Sequence, residues 1–102
     1  QRKEPADIGE NIIDGGEFPK LLSFYKKLED KNFDAISVAL KDGDIYEIYL
    51  REGWYVVLNN ENEPESSFDN LELVLRETVK DKRLKLEYVD LRFGNKVFYK
   101  LK

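Results

Sequence analysis

From Phe33 onward, the apolar residues of this chain recur at every second position, and that period most constrains the fold. Ile36, Val38 and Leu40 alternate with Ser37, Ala39 and Lys41, the pattern of a strand with one buried face. Asp42-Gly43-Asp44 breaks the run with a hairpin-turn signal, Ile45 to Leu50 resumes it, Arg51-Glu52-Gly53 breaks it again, and Trp54 to Leu58 forms a third strand. Turns this short join only antiparallel neighbours, so the three strands read as a meander.

Two segments follow the helical period instead. Pro19 suits a first helical position, and Leu21, Leu22, Tyr25 and Leu28 follow at helical spacing, which predicts a helix from Pro19 to about Asp30 ended by Lys31-Asn32. Leu71, Val74, Leu75, Thr78 and Val79 lie on one stripe of a second helix, from about Phe68 to Lys80. Ser66 or Ser67 is expected to cap it, after the polar loop Asn59 to Ser67. Two further strands are expected at Lys85–Phe93 and Lys96–Leu101, split by Gly94-Asn95. In the first of them Val89, Leu91 and Phe93 face one way, and Tyr88, Asp90 and Arg92 the other.

Ahead of all this, residues 1–7 read as a flexible stub. Ile8 to Ile13 reads as a short strand closed by Asp14-Gly15-Gly16. The predicted order is β-α-βββ-α-ββ: an α+β domain over residues 8–102, with an antiparallel sheet and two helices packed on one face. At 102 residues there is room for one such domain. The longest unbroken apolar run, Trp54–Leu58, is far short of the ~20 residues of a bilayer-spanning helix. With Gln1 first and no Met anywhere, the chain is expected to be part of a longer one.

Composition narrows the chemistry. The chain has no His and no Cys, which excludes His-based metal sites, Cys-ligated zinc, Ser-His-Asp triads and Cys nucleophiles. Asp42/Asp44 and Glu61, Glu63 and Glu65 are the only carboxylate groupings suited to acid–base work, and both lie in turns or loops where carboxylates stay solvated. Gly15-Gly16 lacks the Lys-Ser/Thr of a phosphate loop. No enzymatic activity, cofactor, metal or small-molecule substrate is therefore expected.

Charge is unevenly spread. Residues 1–79 carry a net of −9 and residues 80–102 a net of +5. A basic end on an acidic body points to a surface that meets an acidic partner, although lysines also blunt sheet edges. Tyr88, Phe93, Phe98 and Tyr99 interleaved with Lys and Arg are compatible with a single-stranded nucleic-acid platform, but the acidic body would repel a polyanion. The last strand offers another use. Val97, Tyr99 and Leu101 present one face to the core, while Phe98 lies between Lys96 and Lys100 on the other, a composition suited to capturing a partner's strand.

The segment Tyr88-Val89-Asp90-Leu91-Arg92-Phe93-Gly94-Asn95-Lys96-Val97-Phe98 resembles the closing signature of the FtsQ/DivIB bacterial cell-division proteins, a hydrophobic-Asp-Leu-Arg-aromatic strand, a turn and a short hydrophobic strand. The resemblance extends over residues 8–102, through the helix at Pro19, the strand after Gly53 and the helix leading into the last two strands. The family's usual Leu-Gly after the meander is Leu58-Asn59 here, followed by a longer acidic loop.

The resemblance implies the extracytoplasmic β domain of a divisome scaffold, preceded in the full protein by a POTRA domain and one membrane helix. Such a domain acts in septum formation at the cytoplasmic membrane. It binds the coiled-coil proteins FtsB (DivIC) and FtsL, the former by strand addition. Carried over by position, the partner site is Arg92, Phe93, Lys96, Val97, Phe98, Tyr99 and Lys100. The residues alone are also compatible with an unrelated extracytoplasmic protein-binding module.

Overall fold

The computed structural model describes residues 19–41 and 44–102, so the strand expected at Ile8–Ile13 and the Asp42-Gly43 turn lie outside the described residues. The described elements run α1 (Pro19–Asp30), β1 (Ala35–Leu40), β2 (Ile45–Leu50), β3 (Tyr55–Asn59), α2 (Pro64–Val74), a π turn (Leu75–Val79), a 3-10 segment (Lys80–Lys85), β4 (Leu86–Phe93) and β5 (Lys96–Leu101). The fold class is α+β: a five-stranded sheet in the order β1-β2-β3-β4-β5, with both helices on one face.

α1 ends as its sequence dictates. Asn32 adopts a φ of 66°, which asparagine tolerates better than most residues. The Phe33 and Asn32 amides then donate back to the Leu28 and Glu29 carbonyls at 2.9 and 3.1 Å, a Schellman closure. Leu21, Phe24 and Leu28 on the inner stripe of α1 are buried. Phe24 meets Phe68 of α2 edge-on at 5.7 Å, Phe68 meets Phe33, and Phe33 meets Trp54, so a chain of aromatic rings joins the helices to the sheet.

Four details differ from the sequence reading. The second helix starts at Pro64 rather than Phe68 and has Glu63 at its N-cap. Proline at the first helical position is preorganised and gives up no needed N–H, so it outcompetes the serines. Ser67 is buried inside the helix, with its amide on the Glu63 carbonyl at 3.0 Å. The helix also loses its α geometry after Val74, widening to the π turn and then tightening to the 3-10 segment.

Third, β3 and β4 pair in parallel, Tyr55 beside Tyr88 and Val57 beside Asp90, so the sheet is only mostly antiparallel. The α2 crossover returns the chain to the starting end of the sheet, which fixes that direction. Fourth, register shifts move two apolar side chains outward. One between Ala35 and Ser37 buries Ala35 and leaves Ile36 43% exposed. The other, between Asp90 and Phe93, takes Phe93 off the Val89–Leu91 row, leaving it 51% exposed.

The remaining alternation holds. Val38, Ile48, Val56 and Val89 form a continuous row beneath the helices, with Trp54, Leu71, Leu86 and Leu91 completing the core. The opposite face carries a row of Tyr49, Tyr55 and Tyr88, whose ring centroids lie 5.0 and 5.6 Å apart.

Candidate protein-binding edge

β5 pairs with β4 on one side, and among the described residues no strand lies on the other. Among those residues its outward backbone amides and carbonyls have no ladder partner, the state of a strand edge that can be extended. No side chain in β5 is fully buried. Val97 and Leu101 rest partly on the core, while Tyr99 on the same face is exposed. On the opposite face Phe98 is 52% exposed between Lys96 and Lys100. Lys100 makes a 3.7 Å ion pair with Glu87 on β4.

Next to this edge, three side chains form a connected cluster. The Arg92 guanidinium stands 5.1 Å from the centre of the Phe93 ring, a cation–π distance. Phe93 meets Phe98 at 5.3 Å with the rings nearly perpendicular, the edge-to-face arrangement that aromatic quadrupoles favour. The register shift after Asp90 makes this contact, since it turns Phe93 toward Phe98 on the outer face.

Asp90 holds the charged end of the cluster. Its Oδ1 accepts from the Arg92 Nε at 2.9 Å and from the Arg92 amide at 3.1 Å, and its Oδ2 accepts from Nη2 at 2.7 Å. The Asp90 side chain is 10% exposed and that of Arg92 31%, so the carboxylate is largely desolvated and the guanidinium reaches solvent. The hydrogen bonds to Asp90 and its charge outweigh the opposing effect of burial and raise the Arg92 pKa, keeping it cationic. A guanidinium has five N–H donors. Asp90 engages Nε and Nη2 but not Nη1.

The loop after β3 braces the same strand. Asn59 closes it on itself, its side-chain oxygen accepting from the Glu61 and Asn62 amides at 3.2 and 3.3 Å, a turn that asparagine forms locally. The Asn62 side-chain amide then donates to the Leu91 and Arg92 carbonyls at 3.2 and 2.9 Å, and Asn70 from α2 donates to the Gly94 carbonyl at 2.9 Å. These bonds fall at the register shift and at the β4–β5 turn, where ladder pairing is interrupted. Glu63 and Glu65, two of the five carboxylates considered for acid–base work, make ion pairs with Lys20 and Lys27 of α1 at 3.4 and 3.6 Å.

The seven site residues of the sequence reading thus fall into distinct surroundings. Arg92, Phe93 and Phe98 form one cluster, Lys96 and Tyr99 are exposed beside it, Lys100 is paired with Glu87, and Val97 is partly turned to the core. Asn62 and Asn70 were missed. Their only sequence signal is the density of asparagine in and after the loop, which does not indicate what they bond. No protein-family model matches this chain, and no curated protein does.

Proposed function

We propose that the domain is a non-enzymatic binding module that captures an extended segment of a partner protein along β5. The observation that carries this reading is the free β5 edge flanked by the Arg92–Phe93–Phe98 cluster. An added strand gains backbone hydrogen bonds from the edge, and its side chains meet the pattern that selects it. On the outer face that pattern is cation, aromatic, cation, so an acidic segment with a central apolar residue fits best.

The resemblance of the Asp90-Leu91-Arg92-Phe93 segment supplies the biological setting. The module is proposed as the β domain of an FtsQ/DivIB-type divisome scaffold, on the extracytoplasmic side of the bacterial cytoplasmic membrane at the septum. FtsB (DivIC)-like and FtsL-like proteins are its proposed partners. Amide hydrogen exchange with a peptide from the FtsB-like protein of the same organism tests it. New protection confined to Phe93–Leu101 is expected, and Arg92→Glu is expected to weaken binding by about 1–3 kcal/mol. Binding with protection elsewhere moves the interface, and absence of binding at high peptide concentration overturns the assignment.

A further inference from the structure

At the far end of the β4–β5 ladder from the Phe93–Phe98 cluster lies a second surface with different chemistry. The 3-10 segment Lys80-Asp81-Lys82-Arg83-Leu84-Lys85 contains no buried residue, yet it is fixed to the body at three points. Arg83 makes a two-pronged bond to Glu52 at 2.8 and 2.7 Å and lies over the Phe33 ring at 4.7 Å. The Lys85 carbonyl accepts from the Lys102 amide at 2.7 Å, and Leu86, next in sequence, is fully buried.

What this anchored segment presents is unusual for a soluble surface. Leu84 is 72% exposed, more than any other large apolar side chain among the described residues. Lys80, Lys82 and Lys85 lie within four residues of it, exposed and without an ion pair among the described residues, and Asp81, which shares Leu84's ridge of the 3-10 turn, subtracts one charge. Lys80 also has φ 53° and ψ −123°, a backbone state that side-chain-bearing residues rarely adopt and that glycine would adopt more readily. A turn selected only to reverse the chain needs neither a lysine at that position nor an uncovered leucine.

We propose that Lys80–Lys85 is a lipid-facing surface that seats the domain on a bilayer rich in anionic headgroups. In this arrangement Lys80, Lys82 and Lys85 engage headgroup phosphates, and Leu84 enters the interfacial zone. A soluble polyanion such as a nucleic acid would reward the lysines but leave Leu84 in water; a lipid interface takes up both. The contact is an auxiliary one, since a single apolar side chain and three lysines give weak, salt-sensitive attachment.

The test is co-sedimentation of the 102-residue chain with vesicles of phosphatidylglycerol and phosphatidylcholine at low ionic strength, against phosphatidylcholine alone. Binding is expected only to the anionic vesicles. It should fall roughly 5-fold for each of Lys82→Gln and Lys85→Gln and several-fold for Leu84→Ser. Lys80→Gly separates binding from folding: it should leave the melting temperature unchanged or raised, because the strained φ is relieved, while weakening vesicle binding roughly 5-fold. In a Leu84→Trp variant, emission should shift to the blue on anionic vesicles, while the contribution of buried Trp54 stays constant. Three results overturn the proposal: equal affinity for neutral vesicles, no binding to anionic ones, or binding that responds to the lysine variants but not to Leu84→Ser.

Discussion

The two edges of the sheet are built differently, and the difference separates what holds this domain together from what is available to bind. β1 (Ala35-Ile36-Ser37-Val38-Ala39-Leu40) carries no charge and buries Ala35, Val38 and Ala39. Its one large exposed side chain, Ile36, owes its position to a register shift. β5 (Lys96-Val97-Phe98-Tyr99-Lys100-Leu101) buries no residue fully, carries two lysines, and is held chiefly by its ladder with β4. An edge that contributes little to the core can adapt its side chains to a partner at small cost to the fold. One that supplies core residues cannot.

Truncations at matched positions should make that contrast measurable. Val38→Ala in β1 removes two methyl groups from a closed part of the core and is expected to lower stability by about 2 kcal/mol. Val97→Ala in β5 makes the same change on a half-covered surface and should lower it by less than about 1 kcal/mol. The urea midpoint, read at unchanged m-value, checks both. Equal losses would abolish the distinction between the edges.

A smaller effect is expected at the brace. Asn62→Ala leaves the Leu91 and Arg92 carbonyls without that donor and should reduce stability by about 1 kcal/mol, with a larger relative loss of partner affinity because Phe93 and Phe98 are no longer held together. Parallel melting and peptide titration separate the two. Phe98→Ala should move stability least of all, by about 0.5 kcal/mol or less, since half of the ring is already in water.

One further test uses pH on the other side of the molecule. Burial raises the Glu52 pKa, but the hydrogen bonds from Arg83 and Trp54, together with the Arg83 charge, outweigh it and hold the carboxyl below its usual 4.5. A group depressed on folding stabilises the native state above the unfolded value, and that contribution is lost as pH falls through the folded one. Glu52→Gln should therefore be less stable than the parent at neutral pH, with the gap closing below about pH 4.5 in a series of urea melts.

The order and type of the described α-helices and strands, though not the π and 3-10 turns after Val74, could be read from the chain because period two and period 3.6 are imposed by burial, and burial fills most of a domain this small. The parallel β3–β4 pair could not, since the unbroken apolar run of β3, buried at Val56, Val57 and Leu58, marks a central strand but not the direction of its neighbour. Ile36 and Phe93 were misplaced for a related reason: a single register shift inverts the facing of what lies beyond it, and nothing local marks it. In the candidate site, the Lys-Phe-Lys alternation and the i, i+2 spacing of Asp90 and Arg92 are local and were legible. The asparagine braces join residues far apart in sequence and left no such trace.

The parallel seam has a consequence for how the chain acquires its shape. β1, β2 and β3 are joined by short turns, as are β4 and β5, so each group closes quickly and over short distances. Joining the two requires Tyr55 to find Tyr88 across the whole α2 crossover, a long loop whose closure entropy is lost before any contact repays it. That step is expected to set the folding rate. Substitutions along the seam, such as Val56→Ala and Val89→Ala, should slow folding itself. The β4–β5 pair thus forms early and joins the other three strands only when that seam closes, so the finished sheet carries the β5 edge as part of a preassembled two-stranded unit.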